Sequence, residues 1–514
     1  MLTPHGFAEL SQFQIDPSSV RLLNAAFCRR RHVVVLGVVD PRTSGPVTVG
    51  MLHPEDVELV VMVQRVLARP VRPVRLNDFE IDKALDVGFG EAEADEDGKG
   101  HERLPIRSGA TLTFKPDAPV PSLVSELLGH AVAVGASDLH IECYEEDVDV
   151  RLRKDGELVQ IGTSVSRGNV EEVVARLKVL AEMNLAERRE AQDGRIMTTY
   201  EDGTGSRPID FRVSVVPGPF GEDAVLRVLD SRPLVGLDRL GFPADVLARF
   251  RTLARSPEGI LFVTGPTGSG KTTTLYSTLA EITDASSKIL TVEDPIELQF
   301  AKVNQKQVGP KMGFADYARA FMRQDPDILL IGEIRDEETA DIAIRAAQTG
   351  HLVLTTLHTN GSVGTVSRLR VLGIDPGLVA DTMLGALSQR LIRRVCAACV
   401  EPRDATEGER ALLDHLKVTV QLVRGRGCEA CGQTGYRGRV GLYELFHVDT
   451  ETADRITREV SSLELRRFAR SRGMRTLFDD ALEKLEAGVT TLEEIRARLP
   501  HRILLEAIED ASGE

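Results

Sequence analysis

The sequence predicts a multidomain α/β protein: α+β modules first, then a domain built on a parallel sheet, then a small four-cysteine module and a helical C-terminal part. Three observations carry this. A chain of 514 residues exceeds the size at which one hydrophobic core keeps growing. Strand-like runs ILFVTG, KILTVE, ILLIGE and HLVLTTLH alternate with helical stretches between 259 and 360, the order of βα units. A Gly-rich acidic stretch with almost no large apolar groups, GFGEAEADEDGKGHERLP, divides an N-terminal module from the rest of the chain.

Taken in order, HVVVLGVV (32–39) and VTVGML (47–52) have the character of short buried strands, and PEDVELVVMVQRVLA (54–68) has helical apolar spacing. These define an N-terminal α/β module over 1–87, and the flexible acidic linker is expected over 88–114. The helix PSLVSELLGHAVAV, the alternating VDVRLRKDGELVQI, a helix near 171–184 and DFRVSVVPGPFGEDAVLRVLD make a second α+β domain over 115–230. A connector spans 231–258, the parallel-sheet core 259–395, the cysteine module 396–440 and the helical region 441–514.

Apolar residues at 42% and charged residues at 27% describe an ordinary globular protein. No run approaches the roughly 18 to 20 apolar residues of a membrane span. The opening MLTPHGFAEL has no basic patch followed by an apolar stretch, so a cytosolic location and only peripheral membrane association are expected. A net charge of −15 disfavours a groove that tracks nucleic-acid phosphates.

The chemistry concentrates in GPTGSGKT (265–272), which fits G-x-x-x-x-G-K-[ST] and lies between an apolar strand and a helix. Gly265, Pro266, Thr267, Gly268, Ser269 and Gly270 form a loop whose amides turn toward phosphates. Lys271 reaches the β/γ oxygens, Thr272 offers a hydroxyl to Mg²⁺, and Thr273 continues the positive helix end. The expected cofactors are therefore ATP and Mg²⁺. The strand DILLIGEIRD ends in Gly332-Glu333, where such enzymes keep the acidic residue that orients water. VEDPIEL (292–298) adds Glu293, Asp294 and Glu297 after another strand, and TGHLVLTTLHTN ends its strand in His358.

Six cysteines without a secretory signal do not suggest a disulfide framework. Cys396-x-x-Cys399 and Cys428-x-x-Cys431 instead have the spacing of two knuckles around a tetrahedral Zn²⁺, a closed structural site. Cys28 and Cys143 lie alone and are read as buried thiols.

Together these residues resemble the ATPases of type II secretion and type IV pilus assembly. GPTGSGKTT is similar to the family's Walker A, EDPIE to its Asp box, ILLIGEIRD to its atypical Walker B and TGHLVLTTLHTN to its His box. ASDLHIE, QDGR, DFRVSVVP and GVTTLEEI extend the similarity over roughly 115–500. The resemblance implies a RecA-like P-loop ATPase core, a PAS-like second domain and an N-terminal partner-docking domain. It also implies a homohexamer that drives an inner-membrane platform protein and docks on a membrane-anchored cytoplasmic protein. Arg195 and Arg212, with Arg227 as a weaker candidate, match the positions expected to approach the γ-phosphate. Zinc modules of this kind mark assembly and export motors within the family. No clear copy of the repeated motif through which some relatives bind a cyclic dinucleotide is present. The competing functions are pilus assembly within the family, and a nucleic-acid translocase or a non-hydrolysing regulatory module outside it.

Overall fold

A computed structural model describes residues 10, 13–20, 22–23, 27–28, 31–39, 45–67, 69–89, 105–107, 119–202, 205–230 and 234–512. Most of the expected acidic linker, 90–104 and 108–114, lies outside the described residues. The chain divides into two compact units, one of Met1–Ala133 with Glu172–Val213 and the other of Val134–Glu171 with Ser214–Glu514.

In the first unit, strands Val33–Leu36 and Val47–Met51 pair antiparallel, and Val71–Arg75 joins the second of them in parallel. Helices Val57–Leu67 and Asp78–Phe89 accompany this sheet, and Val34, Val49, Met51, Leu76, Ile81 and Leu85 are buried in its core. The helix Val120–Ala133 and the long strand Gln192–Asp202 also belong here.

The second unit opens with an antiparallel set in which Asp138–Cys143 pairs with Gly221–Asp230 on one side and Val148–Lys154 on the other. Its dominant element is a seven-stranded sheet. In spatial order the strands are Val303–Gln307, Ile289–Glu293, Ile328–Ile331, Leu352–Leu357, Gly259–Thr264, Met383–Val395 and Tyr436–His447. The first six run parallel, and the last pairs antiparallel with its neighbour. The central strands are buried along their whole length, as continuous Val/Ile/Leu runs covered on both faces require. Ile260, Phe262, Val292 and Ile331 fill the core on one face, and Leu261, Val263, Leu275 and Leu279 fill it on the other.

Two findings go beyond the sequence pattern. The stretch expected as a connector contains the helix Ala244–Ala254, whose Phe250 and Leu253 share the core of Leu261 and Val263. The sheet also continues past the expected core. Tyr436–His447, which spans the expected end of the cysteine module and start of the helical region, adds a strand beside Met383–Val395, with Val395 opposite Tyr436, so the intervening cysteines lie on an insertion between the two strands. Helices Leu477–Glu486 and Leu492–Arg498 close this side, burying Phe478, Leu485 and Ile495 with Ile392 and Leu442.

Candidate nucleotide site and cysteine centre

The loop 265–270 leaves the buried strand Gly259–Thr264 and enters the helix Lys271–Ile282. Gly265, Gly268 and Gly270 have φ of 147°, 74° and 88°, which an L side chain rarely adopts. At Gly265 a Cβ would also lie 2.4 Å from the main-chain oxygen of Gln389. The helix start has no side-chain cap, so its first amides are left for an anion. Lys271 Nζ donates to the carbonyls of Gly265 (2.9 Å) and Pro266 (3.1 Å), resting on the loop that phosphates would fill. Burial holds the Lys271 ammonium below its ordinary value, and Glu333 opposes that shift, placing the two groups within electrostatic reach. Thr272 is half-buried at the helix start and Thr273 is exposed.

Glu333 is fixed from both sides. His358 Nε2 lies 3.1 Å from one carboxylate oxygen, and Arg335 Nε donates to the other at 2.8 Å. Arg335 also lies 3.9 Å from Asp294 Oδ2, so Asp294 and Glu333 share one guanidinium. The turn bearing His358 is tied to the phosphate strand: Thr359 N donates to Thr264 Oγ1 (3.0 Å), and the two threonine hydroxyls are 2.6 Å apart.

The other acidic residues separate in role. Glu293 is 4% exposed and is engaged inside the protein by Tyr276 OH, Thr291 Oγ1 and Gln305 Nε2. Glu297 keeps solvent-accessible surface but is ringed by protein. Burial pushes its carboxyl upward, Glu293 adds to this, and Arg227 opposes it. Arg227 is thus the arginine of the three that shares a unit with the phosphate loop and acts on one of its acids, although its Nε is bound to Asp138 at 2.9 Å. Arg195 and Arg212 belong to the first unit, where Arg195 pairs with Asp210 and Arg212 is exposed.

The four module cysteines converge as their spacing predicts. Their Sγ atoms all lie within 4.8 Å of one another. Cys396–Cys428, Cys399–Cys431 and Cys428–Cys431 are separated by 3.8, 3.9 and 3.7 Å. A tetrahedron with sulfur about 2.3 Å from zinc has edges of about 3.8 Å, so the set fits a closed zinc site. Burial alone would raise the Cys431 thiol. Amide bonds from Cys428 and Gly435 outweigh it and bring the thiol down to about 6, while burial leads Cys399 up to about 11. Of the lone cysteines, Cys28 is buried and Cys143 half-buried.

Sequence reasoning missed Tyr276, Arg335 and Gln389. Arg335 stands two positions after Glu333 and was open to detection. The contacts of Tyr276 and Gln389 join residues 17 to 120 positions apart and leave no local pattern.

Residues 113–497 match the family described as Type II/IV secretion system protein, and residues 3–95 match the MshEN domain. The type II secretion system ATPase E of Vibrio cholerae serotype O1 is 38% identical over 509 residues, covering 95% of this chain and 99% of its own length. A type IV pilus assembly ATPase of Thermus thermophilus is 38% identical over 499 residues, covering 94% of this chain and 55% of its own length. The crystal structure of a pilus retraction motor with bound ADP superimposes with a TM-score of 0.51 at 27% identity, covering 74% of this chain and 98% of that one. A P-loop with its Glu333 pair, a mixed seven-stranded sheet and a match over most of the sequence agree: the chain belongs to the Type II/IV secretion system protein family.

Proposed function

We propose that this protein is the ATP-hydrolysing motor of type II secretion, acting as a homohexamer at the cytoplasmic face of the inner membrane. The observation that carries the reading is Glu333, pinned by His358 and Arg335 within reach of Lys271 at the mouth of the phosphate loop. Lys271 moves from the loop carbonyls to the β/γ oxygens of ATP, and the amides of 265–272 hold the phosphates. Glu333 accepts a hydrogen bond from the attacking water and orients it, and His358 and Arg335 hold that carboxylate in place. Thr272 and Asp294 would hold Mg²⁺, and the ion would supply charge neutralisation on the phosphates. Glu293 acts as an internal brace for the strand end, and Glu297 is the second candidate for water positioning.

Arg195 and Arg212 are proposed to meet the γ-phosphate charge that Lys271 leaves unneutralised, with Arg227 tuning Glu297. The cysteine centre is proposed as structural zinc, since four thiolates leave no position open for substrate. Motion would pass to an inner-membrane platform protein, and the N-terminal module would dock on a membrane-anchored cytoplasmic partner, with nucleic acid playing no part. Among the described residues no helix is long and apolar enough to cross a membrane. Pilus assembly is the second reading, supported by the Thermus relative. The near full-length coverage of the Vibrio protein favours secretion.

ATP turnover by the purified protein tests the reading. Lys271→Ala should abolish it in a folded chain. Arg195→Ala and Arg212→Ala should each lose most turnover while binding nucleotide within about tenfold of wild type, as interactions made mainly in the transition state do. Unchanged turnover in Lys271→Ala would remove the enzyme reading, and wild-type turnover in both arginine variants would remove their assigned role.

A further inference from the structure

Gln389 lies on Met383–Val395, a strand outside the phosphate-binding motif, yet it meets the phosphate loop at three points. Thr264, the last residue before the loop, pairs in parallel with Ser388, which brings Gln389 level with the start of the loop. Its main-chain oxygen fills the space beside Gly265 where a Cβ would stand. Its Nε2 donates to the carbonyl oxygen of Ser269 at 2.7 Å and lies 3.2 Å from the Cβ position of Gly270. Gln389 is 1% exposed and Ser269 is 3% exposed, so water does not substitute for this bond.

The bond has a directional consequence. In a planar trans peptide the carbonyl of one residue and the N–H of the next point opposite ways. Holding the Ser269 carbonyl against Gln389 therefore turns the Gly270 N–H toward the concave side of the loop, where a phosphate oxygen would sit. Without a donor behind it, a buried carbonyl would be unpaired, and rotation of the 269–270 peptide would relieve that at the expense of the cradle. Gly270, at φ 88°, has the freedom to make that rotation. Two further polar atoms, Ser269 Oγ and Gln389 Oε1, are buried with no partner among the described residues.

We propose that Gln389 is a positioning residue for the phosphate loop: through its bond to the Ser269 carbonyl it sets the peptide orientation that presents the Gly270 amide to the nucleotide phosphates. The proposal rests on the reading of this loop as a nucleotide site. It assigns to Gln389 an effect on affinity, separate from the chemical step carried by Glu333.

The test uses the full chain with ADP as probe. ADP affinity is measured by calorimetry between pH 6 and pH 9 and expressed relative to wild type, and ATP turnover at saturation is measured alongside. Gln389→Leu should weaken ADP about tenfold, the loss of one buried hydrogen bond, with saturating turnover within about threefold of wild type. Gln389→Glu discriminates further. Its neutral carboxyl donates to Ser269 as the amide does, whereas its ionised form repels both that carbonyl and the phosphates. Burial disfavours the ionised form, so affinity should be near wild type at the acid end and fall as pH rises, a step that neither wild type nor Gln389→Leu shows. ADP affinity within twofold of wild type in Gln389→Leu would overturn the proposal. So would a pH-independent ratio for Gln389→Glu, or a fall in turnover with unchanged affinity. Lys271→Ala, run in parallel, keeps the outcomes apart. Loss of turnover there with intact Gln389 variants sinks only this inference, whereas a wild type that neither binds ADP nor hydrolyses ATP sinks the nucleotide-site reading.

Discussion

Glu494→Ala should be among the most destabilising substitutions in the second unit. The side chain is fully buried and accepts from Arg393 N (3.1 Å), Arg393 Nε (2.7 Å) and Arg393 Nη2 (2.5 Å), and from Arg498 Nε at 3.1 Å. Arg393 has only 20% of its side chain exposed and stacks over Tyr436, its guanidinium carbon 4.1 Å from the ring centre. Truncating the carboxylate leaves this cation buried without compensation, a cost of about 3 to 5 kcal/mol. For a unit of about 340 residues, unfolding entropy near 2.1 cal/mol/K per residue converts that to a fall in Tm of about 4 to 7 °C. Burial pushes the Glu494 carboxyl upward, but the bonds from Arg393 and then Arg498 outweigh it, and its value ends below the ordinary carboxylate range. A depressed carboxylate contributes stability that is full above its unfolded value and disappears as pH falls through the folded one. Wild type and variant should therefore converge in strong acid. Replacing both partners, as in Arg393→Met with Glu494→Leu, should recover most of the loss. Thermal unfolding followed by circular dichroism at several pH values reads all three. A Tm drop under about 1 °C, or a double variant as unstable as Glu494→Ala, would refute the assignment of the pair as a buried ionic brace.

Glu333→Gln should bind ATP with near wild-type affinity and hydrolyse it at least about 100-fold more slowly, because the amide orients water poorly and cannot take its proton. Full turnover would move the role to Glu297. Metal analysis of protein prepared without chelator should find about one zinc per chain, and Cys399→Ser should lose both metal and stability. Metal-free protein that is as stable as wild type would exclude a structural zinc. Arg227 is the one cause lowering the Glu297 carboxyl, so Arg227→Ala should raise it further. If the ionised Glu297 assists turnover, the acid limb of the rate profile then moves to higher pH, and a limb that stays in place would detach Arg227 from the site.

What was legible in the sequence was whatever physics requires at short range. The phosphate loop needs its glycines and lysine at fixed offsets between a strand and a helix, and a zinc knuckle needs two cysteines three apart. The loop between strand and helix lies where its motif stands, and the four cysteines converge. The buried parallel strands announced themselves as unbroken apolar runs. The strand Met383–Val395 did not, because MLGALSQRLIRRV carries a glutamine, a serine and three arginines. Its polar residues are there for distant partners: Gln389 for Ser269 and Arg393 for Glu494. Glu293 illustrates the same limit. Its position after a strand suggested a ligand for nucleotide or metal, and only the approach of Tyr276 and Gln305 shows that its oxygens are already engaged.

The antiparallel pairing of the last two strands lets the cysteine module sit as an insertion at one edge of the sheet. The chain leaves the sheet at Val395 and re-enters it at Tyr436, and these residues face each other across the ladder. Entry and exit are therefore one strand spacing apart, and the intervening segment spans no distance within the domain. Closing a loop between ends already adjacent costs little, and that cost grows slowly with length. The segment is anchored all the same, because its Leu413 and Leu422 are buried in the core of Ile392, Leu442, Phe478 and Ile495, so length changes belong in its outer turns and not where these leucines seat. The fold thus presents a socket at its edge, and the four-cysteine lobe is keyed into it by its own leucines.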